Sequence, residues 1–357
     1  MSSATSIDGV VNLLQLEAAA RVHLSDQVFH YIAGGAGDEL TIAANRSAFD
    51  RILLHPRVLV DVSTRSQRTH VLGCELSAPM LVAPTALHGM VHRDGELATA
   101  RAAAAFGTTM VLSTLATTPV EDVVRAAPGR VWFQLYVYRD RGATEALIAR
   151  VEAAGARALV VTVDAPFLGL REREGAHPLL LPQDFHAPNI SADDSVDRSD
   201  LARRFLDLVD PSLSWKDIAW LRRHTKLPIV LKGILRADDA ERAVEEGIDG
   251  IVVSNHGGRQ LDGVVPTIDA LVPIAEVVSG RAALLVDGGV RRGTDVIKAL
   301  ARGADAVLLG RPILWGLAAG GSKGVHAVLE MLRRELDLAM ALCGCTEVAA
   351  ITDELLG

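Results

Sequence analysis

The chain has 357 residues, 49% of them hydrophobic, which is ample for one large core or two smaller ones. Its formal net charge is -8 and it has no Lys/Arg block, which argues against a nucleic-acid partner. Three cysteines, Cys74, Cys343 and Cys345, make a poor disulfide framework and fit a reducing compartment.

The first residues show no basic start followed by an apolar core, and no uncharged apolar run reaches the length of a membrane span. A soluble, cytoplasmic protein without a membrane partner is expected. Residues 1–70 read as a helical segment that packs on the rest. LEAAARVHLSDQVFHYIAGGAG has helical spacing and stops at Gly34, Gly35 and Gly37. DELTIAANRSAFDRI reads as a second helix with an acidic first turn.

From Ala78 short apolar runs alternate with alanine-rich helical segments. The runs are APMLVAPTA, TTMVLST, VWFQLYV, ALVVTVD, PIVLKG, GIVVSN, ALLVDGG and AVLLGRP, eight in all. Continuous apolar strands are buried on both faces, as in a parallel sheet. Eight βα units predict an α/β fold of the (β/α)8 barrel type over residues 71–357, with a doubly wound open sheet as competitor. Between Asp164 and Pro228 the repeat is interrupted by a polar, acidic stretch. It predicts a long active-site loop over 171–213, after the fourth strand. Cys343-Gly344-Cys345 lacks the further ligands of a metal site, so helix-end packing is expected there and no metal.

The strand ends carry Thr85, Ser113, Gln134 with Tyr136, Thr162 with Asp164, Lys232, Ser254 with His256, Asp287 and Arg311. One such residue caps a helix or closes a turn. A full ring of them points to a site at the C-terminal face, where barrel strands hold side chains rigidly. In the last two loops, VDGGVRRGTD and LLGRP bring Gly288, Gly289, Arg291, Gly310 and Arg311 together, as a phosphate site requires. The bland alternative is that Gly288 and Gly289 only make a tight turn. No GxGxxG follows an early strand, so a dinucleotide fold is unsupported.

Lys232 reads as a Schiff-base nucleophile, as a fixed charge beside an anionic cofactor, or as a lysine reaching solvent. His256 follows a buried strand among glycines and stands three residues before Arg259. A base of near-neutral pKa beside a carboxylate-binding arginine suits deprotonation of a small organic acid. Asp164 either orients that imidazole or caps a helix before Pro166. Asn255, Gln260 and Asp262 are expected to brace the loop by hydrogen bonds.

From about Val28 to Cys345, SNHGGRQLDG, VAPTA, FQLYVY, TVDAP, LKG, VDGGVRRGTD and LGRP resemble, in order, the FMN-dependent L-2-hydroxy acid oxidase and dehydrogenase family. The resemblance implies FMN at the C-terminal face of the barrel. It implies flavin contacts from the backbone of Pro84, Thr85 and Ala86 and from Ser113, Gln134, Thr162 and Lys232, with Ser254 nearby. Asp287, Gly288, Gly289, Arg291, Gly310 and Arg311 would hold ribityl and phosphate. His256 would be the base, paired with Asp164. Tyr31, Arg259 and Arg171 would bind the substrate carboxylate, and Tyr136 the reacting oxygen.

The same resemblance implies oxidation of an L-2-hydroxy acid to a 2-oxo acid, and a homo-oligomer, often a tetramer. Ala86 stands where oxidase members have alanine, which favours O2 as acceptor and hydrogen peroxide as product. Leu115 stands where plant glycolate oxidase has tryptophan, which predicts a bulky substrate, mandelate-like or medium- to long-chain. Three alternatives remain: an FMN-dependent dehydrogenase, a relative of lactate monooxygenase, and a non-redox isomerase or aldolase with Lys232 as Schiff-base former.

Overall fold

A computed structural model describes residues 7–179, 181, 187–190 and 208–357. The middle of the expected 171–213 loop lies outside the described residues.

Ten strands are present among the described residues. β1 (Thr69–Val71) and β2 (Cys74–Leu76) form an antiparallel hairpin. β3 (Met80–Val82), β4 (Met110–Leu112), β5 (Val131–Leu135), β6 (Leu159–Thr162), β7 (Ile229–Ile234), β8 (Gly250–Val253), β9 (Ala283–Asp287) and β10 (Ala306–Leu309) pair in parallel, and β10 closes onto β3. Each of the eight apolar runs contributes one strand of this (β/α)8 barrel. The pleat explains why they lack alternation. Leu81, Val111, Trp132, Val160, Val230, Val252, Leu285 and Leu308 form one inner cluster. Their neighbours Val82, Leu112, Phe133, Val161, Leu231, Val253, Val286 and Leu309 pack outward with the helices.

The hairpin was not foreseen. Val71, Cys74 and Leu76 join the inner cluster, and Ser77 N–H bonds to Gly107 O just before β4. The hairpin therefore stoppers the N-terminal end of the barrel and leaves the other end for the site.

The expected N-terminal helix is two helices. α1 (Leu16–Arg21) ends at Val22, and α2 (Asp26–Ala33) starts afresh. Ser25 is the reason: its hydroxyl accepts the Val28 N–H at 3.3 Å, a start signal inside the apolar period. Gly34 ends α2 as read. The second helix, α3 (Leu40–Asp50), has no acidic first turn, because Asp38 and Glu39 precede it. Glu39 is used elsewhere, accepting from Gly35 N–H and pairing with Arg173.

At the other end of the chain, Cys343 closes the last helix (Arg311–Cys343), Gly344 caps it at φ 74, and both flanking thiols are buried and free. The helix-end reading of that triplet holds. Among the described residues no helix is long and apolar enough to cross a membrane.

Candidate active site

The C-terminal ends of β3 to β10 surround one cavity, which α2 overhangs with Tyr31. The residues expected to bind cofactor or substrate or to do the chemistry line it, except Asp164 and Ser254, which bond to the lining residues His256 and Lys232. The three parts of this wall differ in chemistry.

The first part is an imidazole backed by a carboxylate. His256 Nδ1 lies 3.0 Å from Asp164 Oδ1 and 3.3 Å from Oδ2. Asp164 can come this close because residue 233 is glycine, at φ 116. A Cβ there would meet the Asp164 Cβ at 2.5 Å. No helix begins at Pro166, so the capping role for Asp164 falls away. Burial pushes His256 below its ordinary pKa, against the pull of Asp164. Burial pushes Asp164 up, but the facing His256 and Lys232 outweigh it and hold the carboxyl low. At neutral pH the pair is therefore a carboxylate and a neutral imidazole. The carboxylate fixes the proton on Nδ1, which leaves Nε2 as a basic lone pair.

The second part is a buried, charged lysine. Lys232 is 4% exposed, which rules out the solvent-reaching reading. Its Nζ lies 3.1 Å from Asp287 Oδ2 and donates to Ser254 Oγ at 2.9 Å. Burial opposes the charge, but Asp287 and Asp164 outweigh it and raise the pKa. A lysine held protonated is a poor Schiff-base nucleophile. Close by, the Ser113 hydroxyl and the Thr114 N–H both donate to Gln134 Oε1; among the described residues Gln134 Nε2 and Asp287 Oδ1 have no partner. A buried unsatisfied donor and acceptor beside a fixed cation call for a polar ligand, as the edge of a flavin ring would supply.

The third part is an anion cradle. Burial, with the neighbouring Arg46, lowers Arg291 to about 10. Burial, with Arg259 and Arg291, lowers Arg311 to about 9. Among the described residues neither pairs with a carboxylate. Arg311 reaches only backbone oxygens, of Ile32, Gly34 and Gly257. Half-buried guanidinium groups without a carboxylate partner suit an anion. Gly310 caps the last helix, whose N–H groups open on the same space. Gly289, at φ 86, also makes the tight turn: a Cβ there would lie 2.2 Å from Asn45 O of α3. The tight turn does not compete with an anion role for the same glycine. FMN fits this wall at both ends.

The substrate side was only partly legible. Arg259 donates to Tyr31 O at 2.6 Å and Gly34 O at 2.9 Å, with its guanidinium 5.0 Å over the Tyr31 ring. Glu174, in the short helix Glu172–Ala176, also accepts from Arg259 Nη2 at 2.8 Å and from Arg171 Nη1 at 3.4 Å. Sequence reading missed this carboxylate. The only signal was its place three residues after Arg171, one helical turn on. Burial raises the pKa of Tyr31 and of Tyr136, so both phenols stay protonated. Leu115 and Leu168 supply apolar surface.

The loop bearing His256 is braced as expected. Asn255 exchanges hydrogen bonds with Asn45, Gln260 donates to Asp164 O and Phe167 O, and Asp262 accepts from Leu40 and Thr41 N–H.

Residues 20–357 match the family model described as FMN-dependent dehydrogenase. The chain is 50% identical to L-lactate oxidase of Nostoc sp. over 99% of both chains. It is 47% identical to glycolate oxidase of Spinacia oleracea, over 96% of this chain and 94% of that one. The solved structure of mandelate oxidase superposes with a TM-score of 0.91 at 44% identity, covering 97% of this chain and 98% of that one. These findings remove the isomerase and aldolase alternative. The chain belongs to the FMN-dependent dehydrogenase family, and it is an FMN-dependent 2-hydroxy acid oxidase.

Proposed function

We propose that this enzyme oxidises an L-2-hydroxy acid with a bulky side chain to the 2-oxo acid and passes the electrons to O2, giving hydrogen peroxide. The observation that carries the catalytic roles is the His256–Asp164 pair, set at 3.0 Å beside two arginines in one cavity. FMN, when bound, supplies the two-electron acceptor.

His256 Nε2 accepts a proton from the substrate, and Asp164 stabilises the imidazolium that forms. Arg259 and Arg171 bind the substrate carboxylate. Among the described residues Arg259 Nε and Arg171 Nη2 make no other hydrogen bond, which leaves both arginines a donor to offer. Tyr31 closes this end of the cavity, and Tyr136, protonated, donates to the reacting oxygen. Lys232, held charged by Asp287, would offer the flavin ring a fixed positive charge, and Pro84, Thr85, Ala86, Ser113, Gln134, Thr162 and Ser254 would surround it. Gly288, Gly289, Arg291, Gly310 and Arg311 hold the phosphate end.

Leu115 supports the bulky substrate, since a tryptophan in its place would fill the room for a side chain. One of the similar solved structures is of mandelate oxidase with (S)-4-hydroxymandelic acid. Steady-state rates on glycolate, lactate, 2-hydroxyoctanoate and mandelate test this reading; preference for glycolate refutes it. Leu115→Trp is expected to shift preference toward the small acids by about tenfold or more. One peroxide per turnover is expected. A low peroxide yield with an artificial acceptor favoured identifies a dehydrogenase, and release of CO2 a monooxygenase.

The apolar side chains of Val58, Leu59, Leu338 and Leu342, each more than half exposed, support a homo-oligomer, which we take to be cytoplasmic. Sedimentation of the purified enzyme measures its size.

A further inference from the structure

Two titratable groups unused by this chemistry are fully buried in the first βα unit of the barrel: His88 and Glu96. His88 opens helix α4 (His88–Val91), and Glu96 lies in the first turn of α5 (Gly95–Phe106). Groups of this kind stay inside a protein only where hydrogen bonds replace the lost water. Here those bonds are aimed at the cavity wall.

Glu96 Oε1 accepts the N–H of His88 at 3.1 Å and of Thr117 at 2.9 Å. Its Oε2 accepts the hydroxyls of Thr117 at 2.6 Å and Thr118 at 2.9 Å. One carboxylate thus ties the loop after β3, which carries Pro84–Ala86, to the loop after β4, which carries Ser113 and Leu115. The His88 ring continues the chain. Its Nε2 lies 2.7 Å from Thr85 Oγ1 and its Nδ1 lies 3.0 Å from Thr99 Oγ1. Burial holds this imidazole below its ordinary pKa, so it is neutral at neutral pH. A neutral imidazole donates from one nitrogen and accepts at the other, so the two hydroxyls are aligned through it in one sense. Between Thr85 and His88, Leu87 adopts φ 62, and its N–H bonds to Leu115 O at 3.2 Å. That backbone is costly for leucine and persists only where its surroundings impose it.

We propose that His88 is a positioning residue for the cofactor: anchored by Glu96 and Thr99, it fixes the Thr85 hydroxyl and the Pro84–Ala86 turn against the flavin ring. This rests on the placement of the ring against Pro84–Ala86 proposed above. A side chain that only fills core space would need none of these directed bonds.

The test uses His88→Gln, whose amide reaches Thr85, His88→Leu, which keeps bulk without polar atoms, and Thr85→Val. FMN affinity is read by fluorescence on reconstituting apoenzyme. The ring environment of the holoenzyme is read by titration with sulfite, which adds to the flavin and bleaches it. His88→Leu is expected to weaken FMN and sulfite binding by about three- to tenfold, the scale of one hydrogen bond. Thr85→Val should do the same, the double variant should add nothing further, and His88→Gln should restore most of the loss. If His88→Leu does not fold, His88→Asn, too short for Thr85, replaces it in the comparison with His88→Gln. A lowered melting temperature with unchanged flavin and sulfite affinities makes His88 a purely structural residue and overturns the proposal. An effect of Thr85→Val without one of the His88 variants also overturns it, while leaving the ring placement intact. No effect of Thr85→Val removes the role given to its hydroxyl and overturns the proposal, while contacts from the backbone of the Pro84–Ala86 turn would stand.

Discussion

The cavity contains two pairs of arginines treated in opposite ways. Arg291 and Arg311 lie half-buried among backbone groups without a carboxylate among the described residues. Arg171 and Arg259 share Glu174. A permanent anion can complete the first pair once, and the structure provides no competitor for it. On the function proposed above, the second pair would meet a new carboxylate in each turnover and lose it again as product. A resident carboxylate keeps two adjacent guanidinium groups from repelling each other while the site is empty of substrate, at the cost of competing with the substrate. The contrast fits one end of the cavity kept for retention and the other for exchange.

The largest expected effect separates chemistry from retention. His256→Ala should keep FMN yet lose flavin reduction by about 10²–10⁴-fold in stopped-flow traces. Near-normal reduction would remove the role given to His256. The same residue sets a pH dependence. The base must be neutral, and burial places its pKa below the ordinary value, so reduction rises with pH below about 6.5 and levels off above it. Stability changes in the same direction. Below about pH 6.5 the unfolded chain takes up a proton that folded His256 resists. The native state therefore loses stability as pH falls from there toward the folded pKa, a change readable in melting temperatures.

Next in size is the retention end. Arg311→Met should weaken FMN binding by about tenfold to a hundredfold, the scale of charge-assisted bonds, with little change in the substrate KM of the reconstituted enzyme. Arg259→Lys should do the reverse. KM should rise by about tenfold while FMN stays bound, because an ammonium cannot reproduce a guanidinium fork. If either variant moved both quantities equally, the division between retention and exchange would fail.

The smallest effect is the sharpest. Glu174→Gln should lower KM about two- to fivefold and tighten inhibition by unreactive carboxylates to match, since the resident competitor is gone. FMN affinity should not change. A raised KM would show that Glu174 organises the arginines rather than competing for them.

The barrel was legible because buried parallel strands need long uninterrupted apolar runs, and eight stand out between alanine-rich helices. The site was legible because polar residues at strand ends have no packing reason to recur in every unit. The interruption at Ser25 was readable as a cap but lay inside a continuing apolar period. The hairpin β1–β2 was missed because three-residue strands carry too little alternation to register. Glu174 and Glu96 were missed for another reason. Each acts on groups brought near by folding, and a lone glutamate in a helix has no local mark that separates it from a solvated one.

Residue pattern alone carried the eight strands, the strand ends that bear the chemistry, and the kinds of group found there. Side-chain periodicity and residue type are local properties. The tertiary structure alone decided the pairings: Asp164 with His256, Glu174 between two arginines, Lys232 with Asp287, and His88 with Thr85. Three of these join groups on different βα units, and barrel closure sets their distances. The fourth depends on a left-handed turn at Leu87 that nothing in the local sequence requires. Protonation states followed from the same closure, because burial and facing charges, not residue identity, make His256 a neutral base and Lys232 a fixed cation.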